Sequence, residues 1–249
     1  MAIASKLKPP SREDRLPIIA TDTPIMYEDE GQEEMGESEP HTITDGILYN
    51  GVKAHLAIYP KYQGFHVFSN LNLHYSDIDR RAYVSPDLMV VAPLRHLRPN
   101  LRSYRVGTTG PPPVLTAEVL SERSYQQQDF YNKPRIYADL EVPEYILVDV
   151  TGEFLPEKLL LKRLRGGRGW KDERDTDGGV TSRLGFRLVI DRDGQLRVID
   201  AQTGYRYVRP DEAQAEAQAR RKAEERVKEL ETELDRLRAI IRKRKKNDR

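Results

Sequence analysis

An α/β fold is predicted, with a mixed central sheet flanked by helices and a C-terminal coiled-coil helix. Three observations point to it. Residues 114–150 read as strand, helix, strand. Shorter segments with alternating apolar residues lie on both sides of that unit. Residues 211–246 hold neither Gly nor Pro and are rich in Ala, Glu, Arg and Lys. A strand–helix–strand unit needs a sheet to join and helices to cover it, which gives the first part of the fold class. A long run without helix breakers gives the second.

Length and composition set the limits. The chain has 249 residues, 38% hydrophobic and 33% charged. That is room for one domain of roughly 150–200 residues plus appendages that add little core. Net charge is +1, so the molecule is no simple polycation. The charge is uneven: Asp22, Glu28, Asp29, Glu30, Glu33, Glu34, Glu37 and Glu39 crowd 22–39 with no base among them. Residues 242–249 carry six bases and one acid. There is no cysteine, which excludes disulfides, thiolate metal sites and cysteine nucleophiles. No apolar run approaches the ~18 residues a membrane span needs. The first residues lack a long apolar stretch, so no secretory signal is expected and the reading is cytoplasmic.

Along the chain, residues 1–24 mix Pro, Ser and charge and are expected to be a flexible arm. Residues 25–210 form the expected domain, and 211–249 a coiled coil with a basic tail. "HTITDGILYNGVKAHLAIY" (41–59) has near-3.6 apolar spacing and predicts a helix despite Gly46 and Gly51. "FHVFSNLNLHY" (65–75) alternates and predicts a strand; 82–93 predicts a second, interrupted at Pro86. Residues 94–112 are an Arg- and Pro-rich linker. "VLTAEVL" (114–120) and "EYILVDV" (144–150) read as strands buried on both faces. Residues 125–140 between them are helical in character, with a kink or new turn at Pro134. Segments 153–164, 180–191, 195–200 and 204–208 predict antiparallel strands, with 162–179 a charged, Gly-rich excursion.

In the C-terminal segment, Ala223, Val227, Leu230, Leu234, Leu237 and Ile241 alternate spacings of four and three. That is a seam of about three heptads. In a parallel pair, Arg226 faces the other copy's Glu231 and Glu233 its Arg238, opposite in sign both times. A homodimer through 223–241 is therefore expected; the alternative is one amphipathic helix folded onto its own domain.

Two carboxylates stand out. Asp87 follows Pro86 inside an apolar strand, and Glu118 lies inside "TAEVL". A charge in a buried strand is costly unless paired or metal-bound. Asp129 and Lys133 are four apart, hence on one helix face. Carboxylates converging at strand ends suit Mg²⁺, which takes hard oxygen ligands and keeps several waters. Each residue also has an ordinary reading. Asp87 could accept backbone N–H groups, Glu118 could pair with an arginine, and Asp129 and Lys133 could be a solvated pair.

"SPDLMVV" (85–91), "AEVLSERS" (117–124) and "DFYNKPRIYADLEVPEYILVD" (129–149), with the Ala/Glu/Arg-rich tail, resemble the Uma-two family. Its members are described as restriction-endonuclease-like proteins of the PD-(D/E)XK nuclease superfamily. The resemblance covers roughly residues 25–245. It implies a restriction-endonuclease-like core and a Mg²⁺-dependent endodeoxyribonuclease (Mn²⁺ as an alternative ion). Asp87 would then be the acid of the PD motif and Glu118 the second acid, both holding the metal. The general motif puts a lysine at Leu120; the match here is Lys133, moved to the following helix. A further acid is expected from the first helix region, with Glu37, Glu39 and Asp45 as candidates. Tyr137 would line the same cleft or belong to the core, and Asp149 reads as a strand-end turn residue.

Other chemistries are disfavoured. No GxxxxGK[ST] or GxGxxG is present, and "RGGRG" (165–169) is not a phosphate loop. Histidines 41, 55, 66, 74 and 96 form no HExxH and no tight pair in sequence. DNA is the expected partner, with the basic tail adding phosphate contacts. The alternatives to the enzyme are a nuclease-like module that binds DNA or protein without cutting, and a scaffold whose coiled coil is its function.

Overall fold

The computed structural model describes residues 38–247 apart from 77, 80, 95, 96, 98, 99, 123, 124, 167 and 168. The side chains of Gln126, Gln127, Asp235 and residues 237–247 are likewise outside the description. The expected arm at 1–24, almost all of the acidic stretch and Arg168 of "RGGRG" therefore lie outside the described residues.

The first element is helix α1, Glu39–Ile58. Pro40 sits in its first turn, where a missing N–H costs nothing. Its buried residues include His41, Thr44, Leu48, Val52 and His55, one stripe at spacings of three and four. Gly51 lies on the packing side. A Cβ added there would stand 2.4 Å from Cγ2 of Val198, so only glycine permits this approach.

Among the described residues twelve strands follow: β1 (His66–Ser69), β2 (Leu73–His74), β3 (Tyr83–Val84), β4 (Leu88–Val91), β5 (Tyr104–Arg105), β6 (Leu115–Val119), β7 (Glu144–Val148), β8 (Leu159–Arg165), β9 (Gly169–Glu173), β10 (Val180–Thr181), β11 (Phe186–Ile190) and β12 (Leu196–Asp200). Between β6 and β7 run a π-helical segment, Tyr125–Asn132, and helix α2, Lys133–Asp139. The last element is helix α3, Pro210–Asn247.

Six strands make the central sheet, in the order β1-β4-β6-β7-β8-β9. β6 and β7 are parallel and joined through α2; the other pairs are antiparallel. The sheet is mixed, as expected, and 114–150 is the strand–helix–strand unit at its middle. β10-β11-β12 and β3-β2-β5 form two small three-stranded sheets.

Strand alternation sorts the core into two faces. Leu88, Val90, Leu115, Ala117, Val119, Ile146 and Val148 pack with α1 and the β10-β11-β12 sheet. Met89, Val91, Tyr145 and Leu147 point the other way, toward Ile136 and Tyr137 of α2. By the same period of two, Glu118 belongs to the α2 face.

Several boundaries differ from expectation. The strand expected over 65–75 is two strands in different sheets. Asn70 takes a left-handed φ of 51° between them and turns the chain from the central to a small sheet. The strand expected over 82–93 divides in the same way around Pro86, which cannot donate to a ladder. The linker 94–112 contains β5, paired parallel to β2. The excursion 162–179 contains β9, whose charge fits its place at the sheet edge. Segment 153–164 becomes strand only at Leu159, and 180–191 is broken by a turn at Gly185, φ 87°. Residues 204–208 contribute one isolated bridge, Ile199 to Arg206.

The chain divides into two compact units, one ending at Tyr207 and one beginning at Val208. The second is α3, a single helix of 38 residues. Its Val227, Leu230 and Leu234 are each about half exposed. Among the described residues, no helix is long and apolar enough to cross a membrane.

Candidate active site

Strand register brings the two odd carboxylates together. β4 and β6 pair antiparallel with Leu88 opposite Ala117, so Asp87 and Glu118 are the next pair along. Their contacts are reciprocal. The Asp87 N–H donates to Oε2 of Glu118 at 3.3 Å, and the Val119 N–H donates to Oδ2 of Asp87 at 2.7 Å.

Glu118 is fully buried, and α2 supplies its partners. Nζ of Lys133 donates to Oε2 at 2.7 Å, and the Tyr137 hydroxyl donates to Oε1 at 2.6 Å. Lys133 also pairs with Oδ1 of Asp129 at 2.9 Å. Tyr145 of β7 donates to the Asp129 backbone carbonyl at 2.8 Å. The expected kink is a change of helix type. The π-helical turns end at Asn132, and α2 begins at Lys133 with Pro134 in its first turn, where proline is tolerated. Single π-type turns often mark functional sites. Pro134 does not turn Lys133 away from Glu118.

α1 reaches Asp87 from the other face of the sheet. Nε2 of His41 lies 3.4 Å from Oδ2 of Asp45 and 3.9 Å from Oδ2 of Asp87. One donor atom from each of the three lies within 4.8 Å of the other two. The three side chains are 7%, 15% and 14% exposed. Glu39 is exposed in the first turn of α1. It precedes His41 by two residues, about 200° around the helix, whereas Asp45 shares the His41 face. The acid that α1 brings to Asp87 is thus Asp45, and Glu37 lies outside the described residues. His41 is the residue that sequence reasoning missed. Its signal was the i,i+4 pair His41–Asp45 at the head of the buried stripe.

The cluster is crowded with negative charge. Burial, then Asp45, raises the Asp87 carboxyl to about 6. Burial raises Glu118 to about 8; Lys133 pulls the other way, while Asp87 and Asp129 add to the rise. Burial alone would lower Lys133, but Glu118 and Asp129 more than reverse it and its pKa is raised. Burial and Glu118 hold Tyr137 well above its ordinary value. Lys133 and Tyr137 thus keep their protons and donate hydrogen bonds to Glu118, whose own rise comes from burial and its acidic neighbours.

A divalent cation fits this donor set. Oδ1 of Asp45 is buried and, among the described residues, accepts no hydrogen bond. His41, Asp45 and Asp87 could hold the ion directly; Oε1 of Glu118 accepts from Tyr137 and Oε2 from Lys133 and the Asp87 N–H, so Glu118 would share these oxygens with an ion.

The remaining residues fall outside this cluster. Leu120, where the general motif has lysine, is core on the α2 face. Asp149 is a turn staple: its carboxylate accepts from the N–H groups of Thr151, Gly152, Phe154 and Leu155.

The family model described as "Putative restriction endonuclease", Uma-two, matches residues 25–184, which include every residue of this cluster. The chain belongs to the Uma-two family. No curated protein matches it. A solved structure to which the chain is similar is titled as a putative nuclease belonging to DUF820 from Anabaena variabilis. It is 14% identical with a TM-score of 0.43, covering 59% of this chain and 73% of that one.

Proposed function

We propose that this Uma-two protein is a divalent-metal-dependent endodeoxyribonuclease, with Mg²⁺ or Mn²⁺ held beside Asp87. The observation that carries the reading is the convergence of Asp87, Glu118 and Lys133 where β4 begins and β6 ends. Family membership supports the reaction class. A bound divalent ion would polarise a phosphoryl oxygen and make a nearby water a better nucleophile.

The chain's own groups have separable tasks. Lys133 keeps its proton, so it acts as fixed positive charge toward phosphate rather than as a base. Glu118 and Asp129 hold it in place, and Tyr137 fixes Glu118 in turn. Asp87 bridges the two halves of the cluster, contacting Glu118 through its backbone and standing beside His41 through its carboxylate.

The domain reading remains 25–210 for the nuclease and 211–249 for the coiled coil with its basic tail. The exposed Val227, Leu230 and Leu234 support pairing of two copies through α3, with the Arg226–Glu231 and Glu233–Arg238 complementarity setting a parallel register. A dimer would bring two sites to one duplex.

The test is conversion of supercoiled plasmid to nicked or linear DNA by purified protein with Mg²⁺ or Mn²⁺. Cleavage by wild type and its loss in Glu118→Ala support the enzyme. DNA binding without cleavage would favour the non-cutting module, for which Leu120 in the lysine position is the motive.

A further inference from the structure

We propose that His41 is a direct nitrogen ligand of the bound ion, and that the site therefore prefers first-row transition ions to Mg²⁺. The inference rests on the metal-dependent reading above and extends it to ion choice. It comes from α1, an element outside the PD and Glu118–Lys133 motifs.

The geometry is specific. His41 and Asp45 are one helical turn apart and buried together, and both face Asp87 across the start of β4. The separation of 3.9 Å between His41 Nε2 and Asp87 Oδ2 is too long for a direct hydrogen bond. Two ligands can instead flank one ion at such a separation, because metal–nitrogen and metal–oxygen bonds are each about 2 Å. The buried Oδ1 of Asp45, which accepts no hydrogen bond, supplies an unused donor at the same place. Glu118 already accepts from Tyr137 at Oε1 and from Lys133 at Oε2, whereas, among the described residues, Oδ1 of Asp45 has no such partner. The available set is therefore one imidazole and two carboxylates rather than oxygens alone.

That set discriminates between ions. Mg²⁺ favours oxygen ligands and water, whereas imidazole suits transition ions. Affinity for a mixed nitrogen and oxygen site rises from Mn²⁺ through Co²⁺ to Ni²⁺. Removing the nitrogen should weaken Mn²⁺ and Ni²⁺ far more than Mg²⁺.

The test uses the full chain and does not depend on DNA cleavage. Pulsed electron paramagnetic resonance of Mn²⁺-loaded protein should show coupling to an imidazole ¹⁴N, and His41→Ala should abolish it. Calorimetry should show wild type binding Mn²⁺ at least about ten-fold tighter than Mg²⁺. In His41→Asn that ratio should shrink several-fold while Mg²⁺ affinity changes little. Asp87→Ala should weaken both ions. Nitrogen coupling that persists in His41→Ala would overturn the assignment. So would Mn²⁺ bound in an Asp87-dependent manner without nitrogen coupling, or no Mn²⁺ binding at all. Cleavage that needs Asp87 but shows no nitrogen coupling would remove this inference and leave the nuclease. Nitrogen coupling in a protein that cuts nothing would do the reverse.

Discussion

Nζ of Lys133 lies 2.7 Å from Oε2 of Glu118, and the lysine side chain is 12% exposed against none for the glutamate. The two come from different elements, α2 and β6, and their contact closes the sheet end over the cluster. Asp129, one turn earlier, takes the other side of the same ammonium. The lysine is thus held between two carboxylates, and its charge is fixed in position.

Lys133→Met should therefore lower the cleavage rate about 10²–10³-fold, the usual cost of removing one preorganised charge donor. Lys133→Arg should recover little, because a planar guanidinium does not fit a pocket built for a point charge. Circular dichroism should show both variants folded. Wild-type rates in Lys133→Met would remove the residue from the mechanism.

Asp87 should leave a pH signature in the ion-free protein. Its carboxyl is raised to about 6 in the fold, by burial first and Asp45 second. An unfolded chain would titrate it near 4. The folded state thus holds the proton longer, and this group's contribution to stability is full below pH ~4 and lost as pH rises through about 6. Asp87→Asn does not titrate. In chelator, its melting temperature relative to wild type should climb between pH 4 and 7, by the equivalent of roughly 2–3 kcal/mol. A flat difference across that range would contradict the assigned shift.

Gly51→Ala tests how α1 is seated. The new methyl would meet the buried, β-branched Val198, which cannot swing aside freely. A loss of about 1–3 kcal/mol is expected in urea denaturation, as for other overpacked sites. Since α1 carries His41 and Asp45, metal affinity should fall with it. A variant as stable as wild type would show that α1 packs elsewhere on the domain.

The α3 seam predicts an association that can be broken from outside the domain. Leu230→Glu with Leu234→Glu places charges at two half-exposed seam positions. Light scattering should show wild type at twice the chain mass and the double variant at once that mass. A monomeric wild type would leave α3 as a lone helix.

The middle of the sheet was legible for a physical reason. β6 and β7 are buried at every position, so their apolar runs stand out from a polar chain. β2, β3 and β5 are two residues long and carry no period to read. Pro86 was visible as an interruption and Asn70 was not, and that each moves the chain between sheets depends on packing far along the sequence. In the cluster, Asp87 and Glu118 were conspicuous because charge is rare in buried strands. Lys133 was placed by family resemblance, since its contact spans 15 residues and a change of helix type. Glu37, Glu39 and Asp45 stayed open in the sequence as acids among many; the phase Asp45 shares with His41, Leu48 and Val52 decides between Glu39 and Asp45 only once the bounds of α1 are known.

The central claim is that Asp87, Glu118 and Lys133 together cut DNA with a divalent ion. The most direct measurement is plasmid cleavage by wild type, Asp87→Ala, Glu118→Gln and Lys133→Met, each with Mn²⁺, with Mg²⁺ and with chelator. Divalent-dependent nicking or linearisation by wild type, reduced at least 100-fold in all three variants, is the predicted result. Cleavage that survives in the variants or in chelator, or wild type that binds Mn²⁺ at Asp87 and leaves the plasmid intact, would contradict it.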